Sequence, residues 1–124
     1  MYRGLFSIVS VLVIALGVVL IVAPQAYLSL YLTSYSADHA FAAQRLAPAI
    51  IGLGALMWVA RSLEPGPLAV SFAGIAALVW IGVAATGVFH FMTGVANANI
   101  LVAAGTEVAL AVIFAIASRR ARHS

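Results

Sequence analysis

The chain has 124 residues, of which 65% are hydrophobic and 7% are charged, and its mean hydropathy is +1.18. A soluble domain needs roughly 25% charged residues to cover its surface, so this composition excludes a soluble fold and indicates a membrane protein. The net charge of +3 comes from six arginines, too few to neutralise many phosphates, which argues against a nucleic-acid partner. The sequence contains no cysteine, and this excludes disulfides, thiol catalysis and cysteine-ligated metals.

The first predicted span covers residues 5–23 and follows a short segment that contains Arg3. A signal peptide is the alternative, because a positive segment also precedes the apolar core of a signal. The apolar run is longer than a signal core and has no convincing small-residue cleavage site, which favours a retained span. Pro24 is expected to end this helix.

Three tyrosines, Tyr27, Tyr31 and Tyr35, recur every four residues in the connector that follows. On a helix this spacing places the three rings in one stripe, which predicts a short interfacial helix between the first two spans. The ordinary interpretation is an aromatic belt at the headgroup level, and the alternative is a ligand-binding tyrosine face. Ser36 or Asp38 is predicted to cap the next helix.

The second span is predicted over residues 41–60, with Arg45 about one turn inside its outer boundary. Pro48 removes one helical hydrogen bond and so frees a carbonyl group at the level of Arg45. Gly52 and Gly54 offer a close approach to a neighbouring helix. The segment therefore predicts a kinked, polar position beside Arg45 within an otherwise apolar helix.

A Pro-Gly-Pro turn at residues 65–67 separates the second span from the third, which is predicted over residues 68–92, and the fourth is predicted over residues 98–118. This assignment places five of the six arginines on one side and only Arg45 on the other. By the positive-inside rule, both termini are expected to be cytoplasmic. The predicted fold class is all-α, a transmembrane four-helix bundle that forms a single integral membrane domain over residues 1–124.

The fourth span carries a carboxylate, Glu107, near its middle. An ionised carboxylate that faces lipid is costly, so Glu107 is expected to face other helices and to be protonated, paired or wetted. Arg45 and His90 are predicted in the outer third of the bundle, and Asn97 and Asn99 at its outer mouth. One interpretation is a buried polar cluster of Glu107, Arg45 and His90 that fixes helix assembly. The other is a cavity in which Glu107 takes up a proton or binds a cationic or polar headgroup.

The histidines do not follow a metal-binding pattern. Asp38, His39 and His90 could meet on the outer side, but their spacing matches no recognised zinc motif. The sequence also lacks a serine elbow, a glycine-rich phosphate loop and a pair of intramembrane carboxylates. We therefore expect no metal, no cofactor and no catalytic residue, and the balance is against an enzyme.

A resemblance to known proteins follows from the order of the first half. The first span ends in LGVVLIVAPQ, a tyrosine-rich connector follows, and the second span reads QRLAPAIIGLGALMWVAR. This order resembles a broad group of small four-helix bacterial inner-membrane proteins of unknown function, and it implies a multi-pass protein of the cell inner membrane. The size and the single membrane-buried glutamate are also similar to those of the small multidrug resistance transporters. Those proteins carry their acid in the first helix, whereas Glu107 is in the fourth.

These features lead us to expect a non-catalytic integral membrane protein, either an accessory subunit of a membrane assembly or a binder of a lipid-like ligand. Its environment is the lipid bilayer, and the small residues on its helices indicate a homo-oligomer or a larger membrane protein as partner. The second hypothesis is a proton-coupled small transporter or channel that uses Glu107. The third is a membrane enzyme that acts on a lipophilic substrate, with Glu107 as acid or base.

Overall fold

A computed structural model describes residues 1–123 of the chain. These residues form the five helices α1 (Tyr2–Val22), α2 (Pro24–Leu28), α3 (Ala37–Ala60), α4 (Pro67–Met92) and α5 (Asn99–His123). Helices α1, α3, α4 and α5 are each long and apolar enough to cross a membrane. The prediction of an all-α chain with four apolar helices of membrane-spanning length is therefore confirmed for residues 1–123.

Three of the long helices extend past the predicted spans. Helix α1 starts at Tyr2 instead of residue 5, α3 starts at Ala37 instead of residue 41, and α5 ends at His123 instead of residue 118. The predictions followed the apolar residues alone. At α3 the earlier start is held by Ser36 and His39, whose capping interaction hydropathy does not describe.

The chain divides into two compact units. One comprises Arg3–Ser62 and is built on α1 and α3, with the short α2 between them. The other comprises the chain from Leu63 onward together with Met1–Tyr2, and is built on α4 and α5. Each unit therefore contains one pair of long helices.

Two glycines bring α1 and α3 into close contact. A Cβ atom added at Gly17 would lie 3.2 Å from the backbone nitrogen of Ile51 on α3, and one added at Gly54 would lie 3.1 Å from the backbone nitrogen of Ile14 on α1. Backbones that approach this closely leave room for glycine and little else. The predicted close approach is therefore found at Gly54. At Gly52 it is not, because a Cβ atom there would meet nothing within 4 Å.

A side-chain amide joins the same two helices near the end of α1. Gln44 Nε2 on α3 donates a hydrogen bond of 3.0 Å to the carbonyl oxygen of Ile21. Ile21 lies in the last turn of α1, where carbonyl groups lack intrahelical donors, and Pro24 brings no N–H to this region. Gln44 therefore satisfies a helix-end carbonyl that is costly to leave unpaired in an apolar environment.

Helix α3 begins with a reciprocal cap. Ser36 is the N-cap residue and His39 is the third helical residue. The Ser36 amide donates to His39 Nδ1 at 3.1 Å, and Ser36 Oγ lies 3.0 Å from the same nitrogen. Histidine here takes the place that glutamate or glutamine usually holds in a capping box. Of the two predicted capping residues, Ser36 is the one used, and Asp38 lies in the first turn of the helix.

The tyrosine connector is not a single helix. Helix α2 contains Tyr27 and ends at Leu28, Tyr31 follows in a turn, and Tyr35 lies in non-helical chain before α3. The predicted stripe of three tyrosines is therefore wrong, because it requires a helix that continues through the connector. The rings of Tyr27 and Tyr31 still pack edge to face, with centroids 5.2 Å apart. Tyr35 lies beside His39 instead, with ring centroids 6.3 Å apart.

Helices α4 and α5 pack as an antiparallel pair. Near the start of α5, a Cβ atom added at Gly87 would lie 3.2 Å from Ile100 Cγ1. Towards the other end, the Ser118 hydroxyl donates a hydrogen bond of 2.9 Å to the carbonyl oxygen of Val70. These two contacts fix the register and the rotation of one helix against the other.

The turn between α4 and α5 is held by one carbonyl group. The backbone nitrogens of Val95 and Ala96 donate to the His90 carbonyl oxygen at 3.0 and 3.1 Å. Thr93 Oγ1 donates to the same oxygen at 3.2 Å. Gly94 has a φ of 82°, in the left-handed region that favours glycine. The connection to α5 is therefore anchored on the last turn of α4.

Candidate functional site

Glu107 lies well inside the length of α5. At 1.5 Å per residue it is about 12 Å from Asn99, where the helix starts, and about 18 Å from Arg119. The two distances together match the roughly 30 Å thickness of the hydrocarbon layer. A helix whose polar residues Asn99 and Arg119 meet the two membrane surfaces therefore carries Glu107 within the hydrocarbon.

Glu107 belongs to the packed face of α5. The residues three positions before it and four positions after it on the helix are Ala104 and Ala111, which are 5% and 3% exposed. Phe114, two turns further along, is fully buried. Glu107 is itself half-buried, whereas the adjacent Thr106 is exposed. The carboxyl group is therefore carried on the same stripe as the buried residues.

A tryptophan occupies the facing position on α4. Seven residues, or about two turns, separate Glu107 from Ile100 on α5, and the same number separates Trp80 from Gly87 on α4. The helices are antiparallel and Gly87 meets Ile100. Moving from Ile100 to Glu107 on α5 therefore covers the same distance along the pair, in the same direction, as moving from Gly87 to Trp80 on α4. Trp80 is half-buried. The register therefore places Trp80 level with Glu107 and on the face of α4 that packs against α5.

The sequence alone did not assign Trp80 to this site. Trp80 lies deep within the predicted third span, and this depth indicates only that it packs within the bundle. The signal that was needed is the register of α4 against α5, which depends on Gly87 and on the bond between Ser118 and Val70. An unaligned sequence does not specify which residues of two helices meet.

His90 lies away from Glu107. It is exposed in the last turn of α4, and its ring packs edge to face on Phe89 with centroids 5.4 Å apart. The register places His90 level with the start of α5, about 15 Å along the axis from Glu107. The structure therefore does not bring His90 to Glu107, because His90 is neither buried nor at the same level.

Asn97 and Asn99 stand at the start of α5. The side-chain oxygen of Asn97 accepts a hydrogen bond of 2.9 Å from the backbone nitrogen of Asn99. The Asn97 carbonyl oxygen accepts one of 3.1 Å from the nitrogen of Ile100. Asn97 therefore satisfies free amides of the first turn, while the Asn99 side chain is exposed. Both residues lie at the end of α5 where the mouth of a cavity was predicted.

Arg45 belongs to the unit built on α1 and α3. It is exposed, and its neighbour Gln44 bonds to Ile21, so Arg45 is level with the last turn of α1. Pro48 lies inside α3 without ending it, and the helix continues to Ala60. Because α3 starts at Ala37, Arg45 lies about two turns inside its helix instead of one.

A cavity of about 510 Å³ lies at the break between α1 and α2. It is open, and it is lined by Val22, Ala23, Pro24, Gln25, Ala26 and Tyr35. The lining is mostly apolar, so Tyr35 and Gln25 supply its polar side chains. Among residues 1–123, no group of three or more histidine, aspartate or glutamate side chains lies close enough together to hold a metal ion.

The sequence was compared with protein families, with curated proteins and with solved structures. No match was found in any of the three. The resemblance to small four-helix inner-membrane proteins therefore stays a prediction.

Proposed function

We propose that this protein is a non-catalytic, multi-pass protein of a cell inner membrane that binds a lipid-like ligand through Glu107. The observation that supports the proposal is the position of this carboxylate, which shares the packed stripe of α5 with Ala104, Ala111 and Phe114 at hydrocarbon depth. An acid placed there needs a partner or a proton. A cationic or hydrogen-bonding headgroup would be such a partner.

The apolar surface of the chain fits the same role. Each of the four long helices leaves large hydrophobic side chains exposed, as in Leu12 of α1, Leu56 of α3, Leu78 of α4 and Val102 of α5. Lipid tails or another membrane protein cover such surfaces. The proposal therefore includes a larger assembly or a homo-oligomer as the setting, with both termini on the cytoplasmic side.

The experiment uses the two tryptophans of the chain. With Trp58 replaced by phenylalanine, Trp80 is the remaining tryptophan and reports on its facing position, Glu107. The protein is placed in nanodiscs of phosphatidylcholine and titrated with oleylamine, a single-chain cationic amphiphile. We expect a saturable change in Trp80 fluorescence that is lost in Glu107→Gln.

Thr106→Val is the matched control, because Thr106 is exposed and its hydroxyl donates to the Val102 carbonyl of its own helix. It should respond as the parent does. An equal response in Glu107→Gln and in the parent would contradict the proposal. Release of protons during the titration, absent in Glu107→Gln, would favour the second hypothesis, a proton-coupled transporter.

A further inference from the structure

The last turn of α5 is helical and positively charged. The apolar run ends at Ser118, but the helix continues for five residues to His123. Arg119, Arg120 and Arg122 lie on this extension, and all three are exposed. Because the backbone is helical here, the directions of these side chains are fixed relative to the rest of α5.

The basic residues occupy one side of the helix. At 100° per residue, Arg119, Arg120, Arg122 and His123 fall within an arc of about 160°. Ala121, which is 7% exposed, lies on the opposite side of the helix. These four basic residues, termed the arginine face, therefore form one continuous exposed surface.

Contacts within the α4–α5 pair fix where the arginine face points. Ser118 bonds to the carbonyl oxygen of Val70, so this side of α5 is turned towards α4. Ser118 lies about 100° from Arg119 and about 160° from Arg120 around the helix. Arg119 and Arg120 are therefore turned away from the first turn of α4, whereas Arg122 lies about 40° from Ser118, on the side that faces α4.

Among residues 63–123, acidic side chains near this surface are few. The register places the chain before α4 at the same end as the last turn of α5, and the acid in that segment is Glu64, which is exposed. The other acid of this unit, Glu107, is about 18 Å from Arg119 along the axis. One nearby carboxylate leaves a net positive charge on a surface with three guanidinium groups.

The arginine face also lies at the level of the lipid headgroups. Glu107 lies within the hydrocarbon when Arg119 meets the membrane surface, and residues 120–123 then extend about 6 Å into the headgroup layer. Phosphate groups of phospholipids occupy this layer. Guanidinium groups bind phosphate oxygens by two parallel hydrogen bonds, which gives both charge and geometric fit.

We propose that the arginine face binds the phosphate group of an anionic phospholipid. This site is separate from Glu107, and it is directed to a headgroup of negative charge instead of a cationic or neutral one. Binding anchors the end of α5 at one membrane surface. Each arginine near a charged lipid surface raises the affinity by roughly fivefold.

The test measures which lipids stay bound to the protein. The full chain is reconstituted into nanodiscs that contain phosphatidylglycerol and phosphatidylcholine in equal amounts, and native mass spectrometry counts the lipids retained on the protein. Reconstitution from detergent gives both leaflets the same composition, so a changed orientation does not affect the count. We expect the parent to retain phosphatidylglycerol preferentially.

Four variants provide the comparison. Replacing Arg119, Arg120 and Arg122 by glutamine should abolish the preference, and Arg122→Gln alone should lower it roughly fivefold. Replacement of the same three residues by lysine keeps the charge and should retain most of the preference. Glu107→Gln should retain all of it, which separates this site from the proposed ligand site. Circular dichroism establishes that each variant is helical.

Three results would overturn the proposal. The first is an equal retention of the two lipids by the parent. The second is an unchanged preference in the triple glutamine variant. The third is displacement of phosphatidylglycerol by millimolar inorganic phosphate, which would assign the site to a free anion and not to a lipid.

Discussion

The hydroxyl of Ser118 donates a hydrogen bond of 2.9 Å to the backbone carbonyl oxygen of Val70, and this bond joins the last part of α5 to the first turns of α4. Val70 lies within α4, so its carbonyl oxygen is also in position to accept from the amide four residues later. A bond of this kind between helices adds stability without competing with the helical hydrogen bonds. It also orients the arginine face.

Replacing Ser118 by alanine should therefore destabilise the α4–α5 pair by about 0.6 kcal/mol, the average for a side-chain hydrogen bond between membrane helices. Thermal unfolding in detergent micelles, followed by circular dichroism, measures the change. Ser71→Ala is the matched control, because the Ser71 hydroxyl is exposed and donates within its own helix to Pro67. A larger loss in Ser71→Ala than in Ser118→Ala would contradict the assigned role.

Gly54→Ala should destabilise the α1–α3 pair by about 1–3 kcal/mol. The added methyl group would lie 3.1 Å from the Ser10 carbonyl oxygen and 2.6 Å from Ile14 Cγ1, so the helices must separate. Gly52→Ala, two residues away on the same helix, adds a methyl group in open space and should leave stability unchanged or raise it by up to about 1 kcal/mol. Chemical denaturation of both variants provides the comparison, and similar values would argue against close packing at Gly54.

Gln44→Leu should cost about 1–3 kcal/mol, because the Ile21 carbonyl loses its donor while the side-chain volume is nearly kept. Gln44→Glu should be at least as destabilising at neutral pH, since an ionised carboxylate would face that carbonyl oxygen. Acidification should reverse part of the second effect, because a protonated carboxyl group can donate a hydrogen bond. Thermal unfolding at two pH values is the measurement, and parent-like stability of Gln44→Leu would disprove the role.

His39→Gln should keep the cap of α3, because glutamine at the third helical position accepts a hydrogen bond from the N-cap amide. His39→Leu should lose this bond and cost about 1 kcal/mol. Hydrogen exchange of the amides of Ser36 and its neighbours reports the loss locally. Equal exchange rates in the two variants would show that the histidine ring nitrogen does not hold the helix start.

Reporter fusions at the two ends of the chain should place both on the same side of the membrane, because an even number of spanning helices returns the chain to its starting face. The arginine distribution predicts that this side is the cytoplasm. A phosphatase or fluorescent reporter at each end, in bacterial cells, measures it. Activity of the two reporters on opposite faces would mean that one of the four long helices does not cross.

Much of the fold follows from hydropathy alone, and its limits are physical. Four apolar runs of membrane length predict the number and order of the long helices. The reason is that a segment in lipid must pair its own backbone N–H and C=O groups, and a helix does so within one segment. The helix ends were placed less well, since Ser36 and His39 extend α3 through side-chain hydrogen bonds that hydropathy does not describe. The extension of α5 to His123 includes three arginines, which hydropathy places outside a span.

The candidate site was predictable in its central residue but not in its neighbours. The depth of Glu107 follows from counting residues, and its inward orientation follows from the cost of a carboxylate that faces lipid. Which residues surround it depends on helix register, which placed His90 far along the axis and Trp80 opposite. The difference between Gly52 and Gly54 has the same cause, because the sequence does not show which of two nearby glycines lies on the packed face of the helix.

The Arg61 side chain makes two interactions at the end of α3. Its guanidinium group lies 3.7 Å from the centre of the Trp58 ring, and Nη1 donates a hydrogen bond of 2.6 Å to the Trp58 carbonyl oxygen. The cation that contributes to the expected orientation of the chain thus also closes the terminus of α3. Lysine at this position would keep the positive charge that orients the chain during insertion. It would lose the planar group that stacks on Trp58. Membrane insertion and the order of the helix end could therefore be changed independently of each other.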